Sequence, residues 1–173
     1  MSEPRMTLAA ANALDAAAFV AAFGDVAEHS PWVAETAAAR RPYADRETMV
    51  SAFADAIASA PADAQRALVL AHPDLAGRAA LAGEVTDDSA REQASAGLDT
   101  LTPEEFRTFT EANTAYRQRF GFPFILAVRN ATKHTILDAF RARLDNTAEA
   151  ELAEALAQVR RIVRFRLEDR VAP

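Results

Sequence analysis

The chain has 173 residues, a formal net charge of −6 and no cysteine. A net negative chain has no general grip on nucleic acid, which requires Lys and Arg to neutralise phosphates, and the missing thiols exclude cysteine nucleophiles, iron–sulfur clusters and cysteine-held zinc. No apolar stretch reaches the ~20 residues needed to span a bilayer, and the opening MSEPRMTLAA has no basic segment followed by an apolar core. The expectation is a soluble, cytoplasmic protein acting on a small-molecule partner, with no membrane and no nucleic acid.

Five glycines, abundant alanine and apolar residues recurring every three or four positions predict helices nearly throughout. The expected fold class is all-α: a single-domain bundle of about eight helices covering residues 1–173, with its core at about 14–167. The first helix runs from about Leu14 to Phe23 and stops at Gly24. Ser30 and Pro31 then open a short second helix, Ser as the cap and Pro in the first turn. Asp45 caps a third, with Met49, Phe53, Ala56 and Ile57 along one stripe.

Pro61 separates a fourth helix, about Ala62 to Ala71. Its last residues, ALVLA, read as a buried end, and it must stop near His72 because Pro73 pushes the preceding residue out of the helical region. Leu75 to Leu81 forms a short helix closed by Gly83, and Thr86 or Asp87 caps the next, which runs to Gly97. Thr102-Pro103-Glu104-Glu105 is a capping box that starts a long helix with Phe106, Phe109, Asn113 and Tyr116 on one side. Gly121 ends it.

The stretch FGFPFILAV, residues 120–128, is too apolar for a surface loop, while Pro123 argues against a central strand. An extended, buried connector near residues 120–129 is expected. Helices from Thr132 to Leu144 and from Thr147 to about Arg170 complete the set. The last has Leu152, Leu156, Val159 and Val163 inside, and its arginines Arg160, Arg161, Arg164, Arg166 and Arg170 read as solvating charge near a negative helix end.

Three constellations are candidates for chemistry. His72 follows a buried run and is locked by Pro73, a setting that tunes a general acid or base; a histidine favoured by the helix dipole accounts equally for its place. Ser89, Glu92, Gln93 and Ala96 share one helix face, where a hydroxyl, a carboxylate and a carboxamide beside a small residue make a rim for a polar ligand. A solvated face has the same pattern. Arg129 closes the apolar connector and can hold a carboxylate through two parallel hydrogen bonds, or simply lie at the surface. His29 and His134 lack comparable neighbours. His72, Asp74 and Glu92 have no recognisable ligand spacing, so no metal is assigned.

The stretches FGDVAEHSPWVAETA, LVLAHPDLAGRAALAGEVTDDSAREQASAGLDTLTPEEF and YRQRFGFPFILAVRNATKHTIL, in this order, resemble the 2-oxo-4-hydroxy-4-carboxy-5-ureidoimidazoline (OHCU) decarboxylase family of urate breakdown. The resemblance covers about residues 14–167 and rests on His-Pro-Asp-Leu-Ala-Gly followed by Ser-x-x-Glu-Gln-x-x-Ala-Gly-Leu. It implies an all-α fold, a homodimer, and a cofactor-free decarboxylation giving (S)-allantoin. It places the family's catalytic histidine on His72, with Glu92 beside it in a catalytic role. Substrate-binding positions fall on Pro73, Ser89, Gln93, the wall Phe124, Ile125, Leu126, Ala127 and Val128, and Arg129. Asn130 stands where the family pattern often has glycine.

Two readings from other classes compete. His-Pro-Asp between helices is also the signature of J-domain co-chaperones, although those approach it through a basic, solvent-facing helix and here the approach is Ala-Leu-Val-Leu-Ala. A non-catalytic helical interaction protein would show the Ser89, Glu92 and Gln93 face fully exposed.

Overall fold

The computed structural model describes residues 4–173. Ten helices are present among them: α1 (Leu8–Ala13), α2 (Ala16–Phe23), α3 (Trp32–Ala38), α4 (Arg46–Ala58), α5 (Ala62–Leu70), α6 (Arg78–Leu81), α7 (Asp87–Ser95), α8 (Pro103–Phe120), α9 (Lys133–Leu144) and α10 (Ala148–Arg170). The described residues contain no strand, only an isolated parallel bridge between Met6 and Val171. The fold is all-α, as expected, with ten helices rather than about eight. The helix without an expectation is α1, whose Thr7 cap accepts a hydrogen bond from the Ala10 N–H.

The chain divides into two compact units, one made of residues up to Ala71 together with Val159–Pro173, the other of His72–Gln158. In the first, Phe19 anchors the core, its ring 4.9 Å from Phe23, 6.1 Å from Phe53 and 6.4 Å from Tyr43. Met49, Phe53, Ala56 and Ile57 are all buried, so the apolar stripe of α4 is its core face. The Asp45 carboxylate caps that helix by accepting from the Thr48 N–H at 2.7 Å. Burial pushes the Tyr43 phenol up to about 12, and its hydroxyl donates to the Ala37 carbonyl.

Three local expectations fail here for physical reasons. Ser30 does not cap α3; its hydroxyl donates to the Glu28 carbonyl at 2.7 Å, and Pro31 takes the cap position with no side-chain bond. The end of α5 is not uniformly buried: Leu68 and Val69 are, while Leu70 is 46% exposed, because a helix turns 100° per residue and cannot hide five in succession. Arg166, read as a solvating charge, is 3% exposed and pairs at 2.8 Å with Glu28, which is 1% exposed.

In the second unit the Thr102–Glu105 capping box forms as the sequence prescribes, and α8 ends at Gly121 in the left-handed region. The α8 residues Phe109, Asn113, Tyr116 and Phe120 point inward. Tyr116 meets Phe124 edge-on at 5.3 Å, and Phe124 stacks on Phe140 of α9 at 3.7 Å. Residues 123–128 are neither helix nor strand and, apart from half-buried Leu126, are buried.

Candidate active site

α5 stops at Leu70 with Ala71 as its C-cap, and His72 follows, 6% exposed. The segment 73–77 then makes a tight turn. Ala76 sits at φ +53°, in the left-handed region, and at Gly77 a Cβ would come within 2.9 Å of the Asp74 Cβ. A side chain with a Cβ is disfavoured at positive φ, so Ala76 must be held there.

What holds it comes from α7 and α8. Gln93 Oε1 accepts the Ala76 N–H at 2.9 Å, Asn113 Nδ2 donates to the Leu75 carbonyl at 2.8 Å, and Arg117 Nε donates to Asp74 Oδ1 at 2.9 Å. Gln93 is therefore brought directly against the turn that follows His72 and Pro73. The Thr86 hydroxyl caps α7 by accepting from the Ser89 N–H, which sets the register of the Ser-x-x-Glu-Gln face. On that face Ser89 is 5% exposed, Gln93 6%, and Glu92 half-buried.

The connector is braced separately. The Ala127 N–H donates to Gln158 Oε1 of α10 at 3.1 Å, and the Ile125 carbonyl accepts from Arg143 Nη1 of α9 at 2.5 Å. Arg143 is held in turn by Glu151, whose Oε1 also accepts from the Tyr116 hydroxyl at 2.6 Å. Burial and the neighbouring carboxylate push the Tyr116 phenol well above its ordinary value, so it remains a donor. Arg129 lies at the exposed end of the connector, and Asn130 takes φ +63°. Asparagine tolerates that region better than most residues, so it fills a glycine-like position at modest cost.

The sequence did not reveal Arg143, Glu151, Gln158 or Asn113 as supports. The sequence sets Asn113 on one side of α8 with Phe106, Phe109 and Tyr116, and a polar residue on an otherwise apolar stripe is the signal that points to a buried partner.

Among the described residues no three His, Cys, Asp or Glu side chains gather where they could hold a metal ion, and no helix is long and apolar enough to cross a membrane. A His-Pro-Asp tripeptide that docks on a partner must present its histidine, and here His72 is buried; the Ser-x-x-Glu-Gln face is likewise mostly buried rather than open.

The turn after His72, and the α7 face that holds it through Gln93, form a candidate site within an all-α fold. The OHCU decarboxylase family model matches residues 12–168. A 2-oxo-4-hydroxy-4-carboxy-5-ureidoimidazoline decarboxylase of Haloferax volcanii is 42% identical over 165 residues, covering 95% of this chain and 96% of the relative. Among solved structures, an (S)-allantoin synthase is similar with a TM-score of 0.76 and 32% identity over 96% of this chain, which spans 54% of that longer one. An OHCU decarboxylase crystallised in the presence of (S)-allantoin shares the fold, with a TM-score of 0.66, 20% identity, and 82% and 92% of the two chains covered. The chain belongs to the OHCU decarboxylase family.

Proposed function

We propose that the protein converts OHCU stereospecifically to (S)-allantoin, with His72 as the proton-transfer residue and Glu92 orienting it or binding the ureido N–H groups. Pro73, Ser89, Gln93, Phe124 to Val128 and Arg129 line the substrate site. The observation that carries this reading is the bond from Ala76 N–H to Gln93, because it ties the His72 turn to the Ser-x-x-Glu-Gln helix within one unit. The family match across residues 12–168 runs through both units and supports treating the chain as one functional domain.

The chemistry suits this set of side chains. In OHCU the departing carboxylate sits on a carbon adjacent to a ring C=N bond, so the imine accepts the electron pair as CO₂ leaves, its nitrogen taking up a proton to become a ring N–H, and no cofactor is required as a sink. A ring C=C bearing the hydroxyl results. Its neighbouring carbon must then gain a proton on one face while the hydroxyl loses one, giving the carbonyl of (S)-allantoin. A general acid–base fixed against rotation performs both transfers with one stereochemical outcome, and Pro73 restricts the backbone of His72 in that way. Ser89, Gln93 and the connector backbone hold the ureido and ring amides, and Arg129 holds the carboxylate. A homodimer, which the family resemblance implies, and a cytoplasmic location complete the reading.

The test is to follow freshly prepared OHCU by ultraviolet absorbance and circular dichroism. The parent protein is expected to accelerate the appearance of optically active allantoin, and His72→Ala to lose that acceleration. A His72→Ala variant as active as the parent would overturn the acid–base assignment, and activity lost on exhaustive chelation would overturn the cofactor-free reading.

A further inference from the structure

The carbonyl of Leu75 and the N–H of Ala76 are the two ends of one peptide group. In a trans peptide they point in opposite directions, and here each end is taken by a different side-chain amide, Asn113 on the carbonyl at 2.8 Å and Gln93 on the N–H at 2.9 Å. A carbonyl only accepts and an N–H only donates, so both amides have their orientation settled chemically. Asn113 must turn Nδ2 toward the peptide. Gln93 must turn Oε1 toward it, which leaves Gln93 Nε2 pointing elsewhere, buried and without a partner.

The peptide is held in the orientation that its own backbone disfavours. At φ +53° the Cβ of Ala76 is crowded against the backbone, and rotating the 75–76 peptide by half a turn would carry that φ into the ordinary negative region. Such a rotation would present the carbonyl to Gln93. Gln93 would then have to turn its amide over and expose Oε1 in place of Nε2. Asn113 blocks this by donating to the carbonyl from α8, and Arg117, one turn along the same helix, anchors the turn at Asp74.

We propose that Asn113 is a positioning residue that, by fixing the Leu75–Ala76 peptide, makes Gln93 a hydrogen-bond donor toward a carbonyl or carboxylate oxygen of the substrate. This deepens the reading of Gln93 as a substrate-binding residue and rests on it. It assigns specificity to a side chain that acts through another: ligands offering an oxygen opposite Gln93 are selected, and those offering N–H there are rejected because two donors would face each other.

The experiment uses the full-length protein with Asn113→Asp, Ala76→Gly and Gln93→Leu, singly, together with the Asn113→Asp/Gln93→Leu double variant. Amide hydrogen exchange at position 76 is read first, since it needs no activity. Asn113→Asp places a carboxylate against the Leu75 carbonyl, so protection of the Ala76 N–H should fall at least tenfold while the rest of α7 and α8 keeps its protection. Ala76→Gly, which alters neither carboxamide and removes the Cβ that resists positive φ, should keep the protection. In kinetics, Asn113→Asp should raise KM for OHCU about tenfold or more with a smaller change in kcat, and should add little in the Gln93→Leu background.

Unchanged protection at Ala76 in a folded Asn113→Asp protein would overturn the proposal, as would losses in KM that simply add in the double variant. Loss of protection in Ala76→Gly would show that the peptide is not held by the two amides and would also overturn it. If the parent had no activity on OHCU, the decarboxylase reading would fail while the exchange result still decided whether Asn113 fixes the peptide.

Discussion

Arg143 and Glu151 form an ion pair closed off from solvent, and the guanidinium of that pair also donates to the Ile125 carbonyl in the connector. The same Glu151 accepts from the Tyr116 hydroxyl through Oε1 and from Asn146 Nδ2 through Oε2. An apolar segment with no helix or sheet ladder of its own is thus fixed by one buried network. Glu151→Gln should leave the guanidinium buried without its counter-charge and destabilise the protein by about 3–5 kcal/mol. Tyr116→Phe removes one hydroxyl and should cost about 1 kcal/mol. Equilibrium urea unfolding of the two variants checks the ordering. A Glu151→Gln protein as stable as the parent would contradict it.

Gln93 bonds a backbone N–H and presents its NH₂ group elsewhere, so its two obvious replacements should separate the two jobs. Gln93→Glu keeps an acceptor for the Ala76 N–H and loses the donor. Gln93→Leu loses both and should be less stable than the parent by roughly 1–2 kcal/mol, since a buried N–H is left unsatisfied, while Gln93→Glu adds the cost of a buried carboxylate. Both should bind OHCU more weakly. Thermal unfolding compared with steady-state KM would show the two effects, and a Gln93→Leu protein as stable as the parent would argue against the bond.

Asn130 occupies φ +63° directly after Arg129. Asn130→Gly should be neutral within about 0.5 kcal/mol, because glycine adopts this region freely but loses more chain entropy. Asn130→Val should cost about 1–2 kcal/mol, since its branched Cβ crowds the backbone there. Chemical denaturation of both variants is sufficient to read the difference, and a harmless valine would be the contrary result.

Four carboxylates held below their ordinary range, Asp25 beside Arg170 among them, contribute to the acid limb of the stability curve. Bonds from the Thr48 hydroxyl and N–H hold Asp45 below its ordinary range, Arg164 does the same for Glu47, and Lys133 for Glu105. Their folded values lie below their unfolded ones, so the unfolded chain binds more protons and stability rises with pH through this range. The contribution is fully present above the unfolded carboxylate range, roughly pH 4 to 5, and is lost as pH falls through the lowered folded values. Melting temperatures between pH 3 and pH 7 should be level at the upper end and fall at the lower. Asp45→Asn should flatten that fall.

Much of the fold was legible because its punctuation is local. Asp45, Thr86, Thr102 and Thr132 each cap the helix they precede, and Gly83, Gly97 and Gly121 sit at positive φ after helix ends. A cap needs only a few consecutive residues, so sequence spacing carries it. Ser30 shows the limit: serine before proline is a sound capping signal, yet the Glu28 carbonyl two residues back takes its hydroxyl instead. The candidate site residues were readable for the same local reason in part, His72 from the helix stop that Pro73 imposes, and Ser89, Glu92 and Gln93 from their shared helix face. Their pairing with the family pattern supplied the rest.

The chain by itself determined that it is helical and where most helices begin and end, and it singled out the short stretches proposed to hold its chemistry, because capping, periodicity and the proline stop act over a few residues. Only the tertiary structure decided that Gln93 and Asn113 meet at one peptide, that Arg166 is buried against Glu28 rather than solvated, and that the Ile125 carbonyl rests on Arg143. Those partners lie 17, 38, 138 and 18 residues apart in the chain. A buried polar group must find a partner somewhere, and no local pattern says which; packing in three dimensions makes that choice.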